Sequence, residues 1–167
     1  MKKLSLIFGV LFCLVLLISC KDVEPLIEIE AKVTSVNDEQ YRKIGSTEGL
    51  IEPKQKDFKI YEFNFNMEHT EAVKDRKIEM YKFEILRQVF NEIDGITRYW
   101  NGSEYSQDNE GENFVTYHHE VVFYAKDLSD DEIRKALGNE KIIVSWTDIT
   151  KEQSEKEYVL SDLIKIN

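Results

Sequence analysis

The chain has 167 residues, about the size of one domain. Its 42% hydrophobic and 11% aromatic residues suffice for an ordinary core, so the composition excludes wholesale disorder. The 22 basic and 32 acidic residues give a net charge of -10, which excludes a basic surface for phosphate backbones, and we expect no nucleic-acid partner.

The N-terminal segment has the layout of a secretory signal. Two lysines precede an apolar run over residues 4–18, and Ser19 and Cys20 follow that run. The run is shorter than the roughly 18 residues that a membrane-spanning helix needs, and Lys21 comes directly after Cys20. The pattern favours a cleaved signal over the alternative, an uncleaved apolar helix.

The sequence Leu17-Ile18-Ser19-Cys20 resembles the lipobox of bacterial lipoproteins, in which an aliphatic residue, a tolerant position and a small residue precede a cysteine. The resemblance implies cleavage between Ser19 and Cys20 and a diacylglyceryl group on the Cys20 thiol. Two acyl chains anchor a protein stably where one does not. We therefore expect a protein held by acylated Cys20 in the bilayer of the cell membrane, on its extracytoplasmic face.

Alternation of apolar and polar side chains predicts that the rest of the chain is mainly β. Polar segments at 37–57, 103–113 and 150–157 are predicted loops, and Asp94-Gly95 and Asn101-Gly102 are predicted turns. The predicted strands lie at 25–36, 61–67, 96–100, 115–124 and 142–146, with a last one beginning at Tyr158.

The segment 72–93 fits two structures. Its apolar residues form a broad stripe on a helix, whereas Tyr81, Phe83 and Ile85 alternate as in a strand. We predict a long strand or a bent pair of strands here, with a helix as the alternative.

One short helix is predicted at 129–137. Ser129 and Glu132 have the spacing of a capping box, acidic residues follow Ser129, and Gly138 is a typical stop.

Six or seven strands with one short helix and no βαβ alternation predict an immunoglobulin-like antiparallel β-sandwich. The alternative is an α+β fold with a longer helix around 72–93. The pattern resembles the Ig-like domains of uncharacterised lipoproteins of Gram-positive bacteria, without the cysteine pair of antibody domains. The predicted division is a signal peptide at 1–19, a lipidated N-terminus with the first strand and a polar loop at 20–57, and a sandwich body at 58–167 that forms one domain with 25–36.

Metal-ligand residue types cluster in only one place in the sequence. On a strand, His118 and Glu120 share one face while His119 points to the other. Two ligands do not make a site, so we predict no metal and no cofactor. No nucleophile elbow or other catalytic constellation is present in the sequence, and we expect a protein that is not an enzyme.

Aromatic residues near the predicted turns suggest a ligand patch formed by Tyr99, Trp100 and Tyr105. The alternative is that Tyr99 and Trp100 cap the core. Taken together, these features predict a non-catalytic interaction or accessory module at the cell envelope, with an unknown envelope protein or ligand as its partner. A lipoprotein that binds a small solute or glycan is the alternative, and an envelope enzyme is a remoter one.

Overall fold

The structure, a computed structural model, describes residues 24–138 and 140–167. The predicted signal peptide, its cleavage at Ser19 and the acylation of Cys20 lie outside these residues. The described strands are β1 (Leu26–Ser35), β2 (Phe58–Glu68), β3 (Lys74–Glu79), β4 (Tyr99–Gln107), β5 (Phe114–Tyr124), β6 (Lys141–Thr147), β7 (Gln153–Val159) and β8 (Ile164–Ile166). The described helices are α1 (Asp38–Lys43), α2 (Ile85–Asn91), α3 (Asp130–Leu137) and α4 (Leu160–Leu163), with a 3₁₀ turn at Gln55–Asp57.

The strands form two sheets. The large sheet has the order β4-β5-β2-β1-β8 and the small sheet the order β3-β6-β7. Neighbouring strands are antiparallel except β1 and β8, which are parallel. Leaving β8 aside, this is the strand order of a constant-type immunoglobulin domain. The predicted mainly β sandwich is confirmed. The prediction of a single short helix is wrong, because the described residues contain four helices.

The main core lies between the inner faces of the two sheets. Alternate residues of each strand point inward, since successive side chains of a strand face opposite sides. Helices α2, α3 and α4 add buried residues to the same core. Its fully buried side chains include Val33, Tyr61, Phe63, Phe65, Phe90, Phe123, Ile133 and Ile142.

A second, smaller core lies on the outer face of the large sheet, at the end where β1 stops. The segment between β1 and β2 folds back over this face, and its Ile44 packs near Phe58 and Tyr124. An Asn37–Gln40 capping box begins α1 there. The predicted polar loop at 37–57 therefore contains a helix.

The segment 72–93 is divided between the two structures that the sequence allowed. The predicted long strand is wrong beyond Glu79, where β3 ends. The alternative helix is present only over Ile85–Asn91. Its residues Leu86 and Phe90 lie four positions apart, on one face of the helix, and both are buried in the core.

Strand β4 is longer than predicted. It begins at Tyr99, continues through Asn101-Gly102 and ends at Gln107, so the turn predicted at Asn101-Gly102 and the loop start at Ser103 are wrong. Likewise β7 occupies Gln153–Val159, which includes most of the charged segment 150–157, so both the loop predicted there and the predicted start of a strand at Tyr158 are wrong. Both are edge strands, whose exposed residues are too polar to show a two-residue pattern.

Helix α3 is confirmed as predicted. The Ser129 Oγ accepts a hydrogen bond from the Glu132 amide at 3.3 Å, and the Glu132 carboxylate accepts one from the Ser129 amide at 2.8 Å. The helix connects the large sheet to the small one between β5 and β6.

Candidate binding pocket at the edge of the large sheet

A pocket opens between the inner faces of β4 and β5 and the segment 78–84, which comprises the end of β3 and the connection to α2. Its volume is about 580 Å³. The pocket is large enough for one long side chain or a small organic molecule. The residues that give it its chemistry are Tyr81, Phe83, Glu84, Glu104, Tyr117 and His119.

His119 lines this pocket within a group of aromatic rings. Its ring centroid lies 5.6 Å from that of Phe63, 5.3 Å from Tyr81 and 5.5 Å from Phe83. Phe63 is its direct cross-strand neighbour on β2, whereas Tyr81 and Phe83 come from the segment after β3. The side chain is only 4% exposed, so the imidazole is surrounded by apolar surface.

This environment keeps the imidazole uncharged at neutral pH. Burial, and secondarily the neighbouring His118, lower the pKa of His119 from 6.5 to about 4, while Glu84 opposes the shift. The Nδ1 atom is buried and has no hydrogen-bond partner in the described part of the protein. A buried polar atom without a partner costs free energy.

Tyr81 is held in place by a second buried tyrosine. The hydroxyl groups of Tyr61 and Tyr81 are 2.8 Å apart and hydrogen-bonded. Burial raises the pKa of both side chains, so both remain neutral phenols. The wall of the pocket is thus fixed to the core of the large sheet.

The rim of the pocket is acidic. Glu79, Glu84 and Glu104 line it together with one lysine, Lys82. Glu79 forms an ion pair with Lys77, and no described ion pair includes Glu84 or Glu104. Two carboxylates are therefore available to a positively charged ligand.

Beside the pocket, β4 is the free edge of the large sheet. The direction of its backbone groups follows from two hydrogen bonds at one end of β5. Tyr124 N donates to Arg98 O at 2.8 Å, and Ala125 N donates to Asp57 O at 2.7 Å. The backbone amide and carbonyl groups of successive residues point to opposite sides of a strand. Even-numbered residues of β5 therefore form backbone hydrogen bonds with β4, and odd-numbered residues form them with β2.

The register then identifies the open groups of β4. Ser103 and Tyr105 pair with the even-numbered residues of β5, so their backbone groups point into the sheet. Gly102, Glu104 and Ser106 pair with odd-numbered residues, so their amide and carbonyl groups point away from it. The side chains of Glu104 and Ser106 lie on the inner face, on which the pocket opens.

Gly102 allows one wall of the pocket to approach the sheet. A Cβ atom at this position would lie 2.6 Å from the Glu120 carbonyl oxygen and 2.9 Å from Cζ of Phe83. The Phe83 ring therefore occupies the space that any other residue at position 102 would need.

The three residues of the predicted aromatic patch do not share one surface. Tyr99 packs against the main core under the Arg87 guanidinium, 5.0 Å from its ring centroid. Trp100 belongs to the second core, where its Nε1 donates to the Ile44 carbonyl at 3.0 Å. Tyr105 is 55% exposed. This placement favours the alternative, in which Tyr99 and Trp100 cap the cores.

His118 and Glu120 share the outer face of β5, as their spacing predicts. The Nδ1 of His118 is 2.8 Å from Oδ1 of Asn64, and Glu120 is paired with Glu62 on β2. Among the residues described, no three His, Cys, Asp or Glu side chains are placed to hold a metal ion.

Patterns in the sequence do not identify the residues that line this pocket. Alternation does place His119 on the inner face of β5, but nothing local indicates that residues 78–84 and 104–106 meet it there.

No helix within 24–138 or 140–167 has the length and apolar character needed to cross a bilayer. No family model, curated protein or solved structure matches this chain.

Proposed function

We propose that this protein is a lipid-anchored module on the extracytoplasmic face of the cell membrane that binds an envelope protein without catalysis. It does so by accepting an extended segment of that protein as an additional strand beside β4. The observation that carries the proposal is the free edge of β4, nine residues long, next to the His119 pocket.

From Asn101 to Gln107 the β4 edge has none of the lysines, prolines and inserted bulges by which proteins block unwanted strand pairing, and its one charged side chain is that of Glu104. Its sequence, YWNGSEYSQ, contains no Lys, Arg or Pro, and its only register shift lies at one end, between Tyr99 and Asn101. The other three described sheet edges are blocked. β3 has a bulge and two lysines, β7 alternates acidic residues with Lys156, and β8 has three residues.

The lipid anchor rests on the lipobox-like sequence that ends at Cys20. Removal of residues 1–19, which contain two lysines, would leave 20 basic and 32 acidic residues, a net charge of -12. Anionic headgroups repel such a surface, so the acyl chains must supply the attachment. Replacement Cys20→Ala should release the protein from the membrane fraction. A variant that stays tightly membrane-bound would contradict the anchor.

The binding mode is tested by a proline in the open edge. Ser106→Pro removes an amide hydrogen that points away from the sheet, where proline is tolerated, and Ser106→Ala removes only the side-chain hydroxyl group. The probe is a displayed library of random 12-residue peptides selected on the domain and measured by fluorescence anisotropy.

We expect peptides that bind wild type and Ser106→Ala but lose affinity for Ser106→Pro, while circular dichroism shows all three folded. Selection of no peptide, or of peptides that bind Ser106→Pro equally well, would overturn strand addition.

A second function, binding of a small solute, is favoured by the volume and aromatic lining of the pocket. The probes are free amino acids, amines and monosaccharides, tested by thermal denaturation. A solute that raises the melting temperature of wild type and of Ser106→Pro alike would support this function over strand addition.

A further inference from the structure

We infer that the segment bound at β4 presents an arginine or lysine side chain to the His119 pocket. This inference rests on the proposed function, since it names the chemistry of the partner at the same site. It is argued from the direction of side chains at the edge, the charge of the rim and the lining of the pocket.

The first step is geometric. Side chains alternate between the two faces of a strand, and those of directly paired residues lie side by side. A strand beside β4 would therefore place every second side chain on the inner face, next to Glu104 and Ser106. Both residues line the pocket, so the inward side chain opposite them enters it.

The second step concerns charge. Glu84 and Glu104 are exposed carboxylates at the entrance and take part in no described ion pair. A cationic side chain opposite Glu104 would form a favourable cross-strand pair, whereas an acidic one would be repelled. Lys82 is the only basic residue that lines the pocket, so the net charge of the rim is negative.

The third step concerns the interior. The rings of Tyr81, Phe83 and Tyr117 line the pocket and offer apolar surface to the methylene groups of a long side chain, and an aromatic ring attracts a cation that lies over its face. His119 is neutral, so it adds no positive charge to oppose this.

The test uses n-butylguanidinium as a probe for the arginine side chain and n-butylurea as its neutral analogue. Binding to the isolated domain is followed by the NMR signals of His119 and Tyr81. We expect n-butylguanidinium to shift these signals and n-butylurea to shift them far less.

The double variant Glu84→Gln/Glu104→Gln should weaken guanidinium binding about five- to tenfold, as expected for two exposed carboxylates. The matched control Glu62→Gln/Glu120→Gln lies on the opposite face of the same sheet and should leave binding unchanged. Equal shifts by both probes, or equal weakening by both double variants, would overturn the inference.

The selected peptides separate this inference from the proposed function. Peptides whose binding depends on the β4 edge, but which show no preference for Arg or Lys over norleucine at any inward position, would refute the cationic side chain and leave strand addition intact. Failure of every peptide to depend on the edge would refute strand addition itself. Guanidinium binding would then identify the pocket as a site for a free cation.

Discussion

His119 illustrates how a single buried residue links stability to function. Packing among Phe63, Tyr81 and Phe83 contributes apolar contact only while the imidazole is neutral. Protonation would place a charge in apolar surroundings, which is why the pKa of His119 falls to about 4. A phenylalanine would occupy a similar volume without titrating.

Stability should therefore fall on acidification. The pKa is about 4 in the folded protein and 6.5 in the unfolded one, so the unfolded state binds the proton first. The contribution of neutral His119 to the free energy of unfolding is fully present above pH 6.5 and is lost as the pH falls toward 4. The loss is about 2–3 kcal/mol at pH 4.5. Urea unfolding of wild type and His119→Phe at pH 7.5 and 4.5 measures it. Equal losses in the two proteins would contradict this account.

Gly102 is a residue whose importance lies in the side chain that it lacks. Replacement Gly102→Ala would bring a Cβ atom within 3 Å of the Glu120 carbonyl and of the Phe83 ring. We expect destabilisation of about 1–3 kcal/mol in urea unfolding, since overpacking forces neighbours to move. Gly111→Ala is the control, because no atom lies within 4 Å of its added Cβ. Similar unfolding of the two variants would argue against close packing at Gly102.

At the scale of elements, the loop between β4 and β5 is tied to the start of β3 by Arg76. Its Nη1 donates to the Glu112 carbonyl at 2.6 Å, and its Nη2 donates to Asp108 Oδ1 at 2.7 Å and to the Asn109 carbonyl at 2.9 Å. The side chain is only 9% exposed. One planar guanidinium thus holds a loop more than 30 residues away in the sequence.

Arg76→Lys should loosen this loop. Lysine keeps the charge but lacks the fork that reaches three acceptors at once. We expect faster hydrogen exchange at 108–113, with little change in β2 or β5, as measured by mass spectrometry. Arg42→Lys is the control, since Arg42 is exposed and bonds only within α1. Unchanged exchange in the loop would show that Arg76 does not hold it.

The elements that the sequence predicted well share a physical property. Strands β1, β2, β5 and β6 each pack one face on the main core, so their alternation is clear over most of their length, and α3 has a capping box encoded within four residues. The elements that were predicted poorly are edge strands and the helices α1, α2 and α4, which are four to seven residues long. Apart from α1, which has its own Asn37–Gln40 capping box and no buried residue, the structure of these elements depends on the neighbours that they contact, which a local pattern does not contain.

At the scale of the whole molecule, the two ends of the large sheet would lie at different distances from the bilayer. Cys20, the proposed acylation site, is six residues from the start of β1, which allows a reach of at most about 20 Å. The loop 108–113 lies at the same end of the sheet as the start of β1, and the segment 37–57 lies at the other end. The 11 residues of β2 separate these ends by about 35 Å.

Energy transfer to a lipid-borne acceptor should reflect this orientation. The sequence contains only two cysteines, Cys13 in the predicted signal and Cys20 at the predicted acylation site, so an introduced thiol can be labelled selectively. In anchored protein on vesicles, a donor at Glu110→Cys should transfer more efficiently than one at Glu48→Cys. Equal transfer would mean that the domain has no preferred orientation on the membrane.

The sequence by itself determined the class of this protein, which is a mainly β domain with a short, well-capped helix, preceded by a lipobox-like segment. Each of these rests on residues close together in the chain, where a two-residue period or a capping motif suffices. Only the tertiary structure decided where β4 ends, that Gly102 accommodates Phe83, and that His119 lines an acid-rimmed pocket beside an open edge. These features join segments up to about 40 residues apart, and the contacts exist only after the sheets have packed.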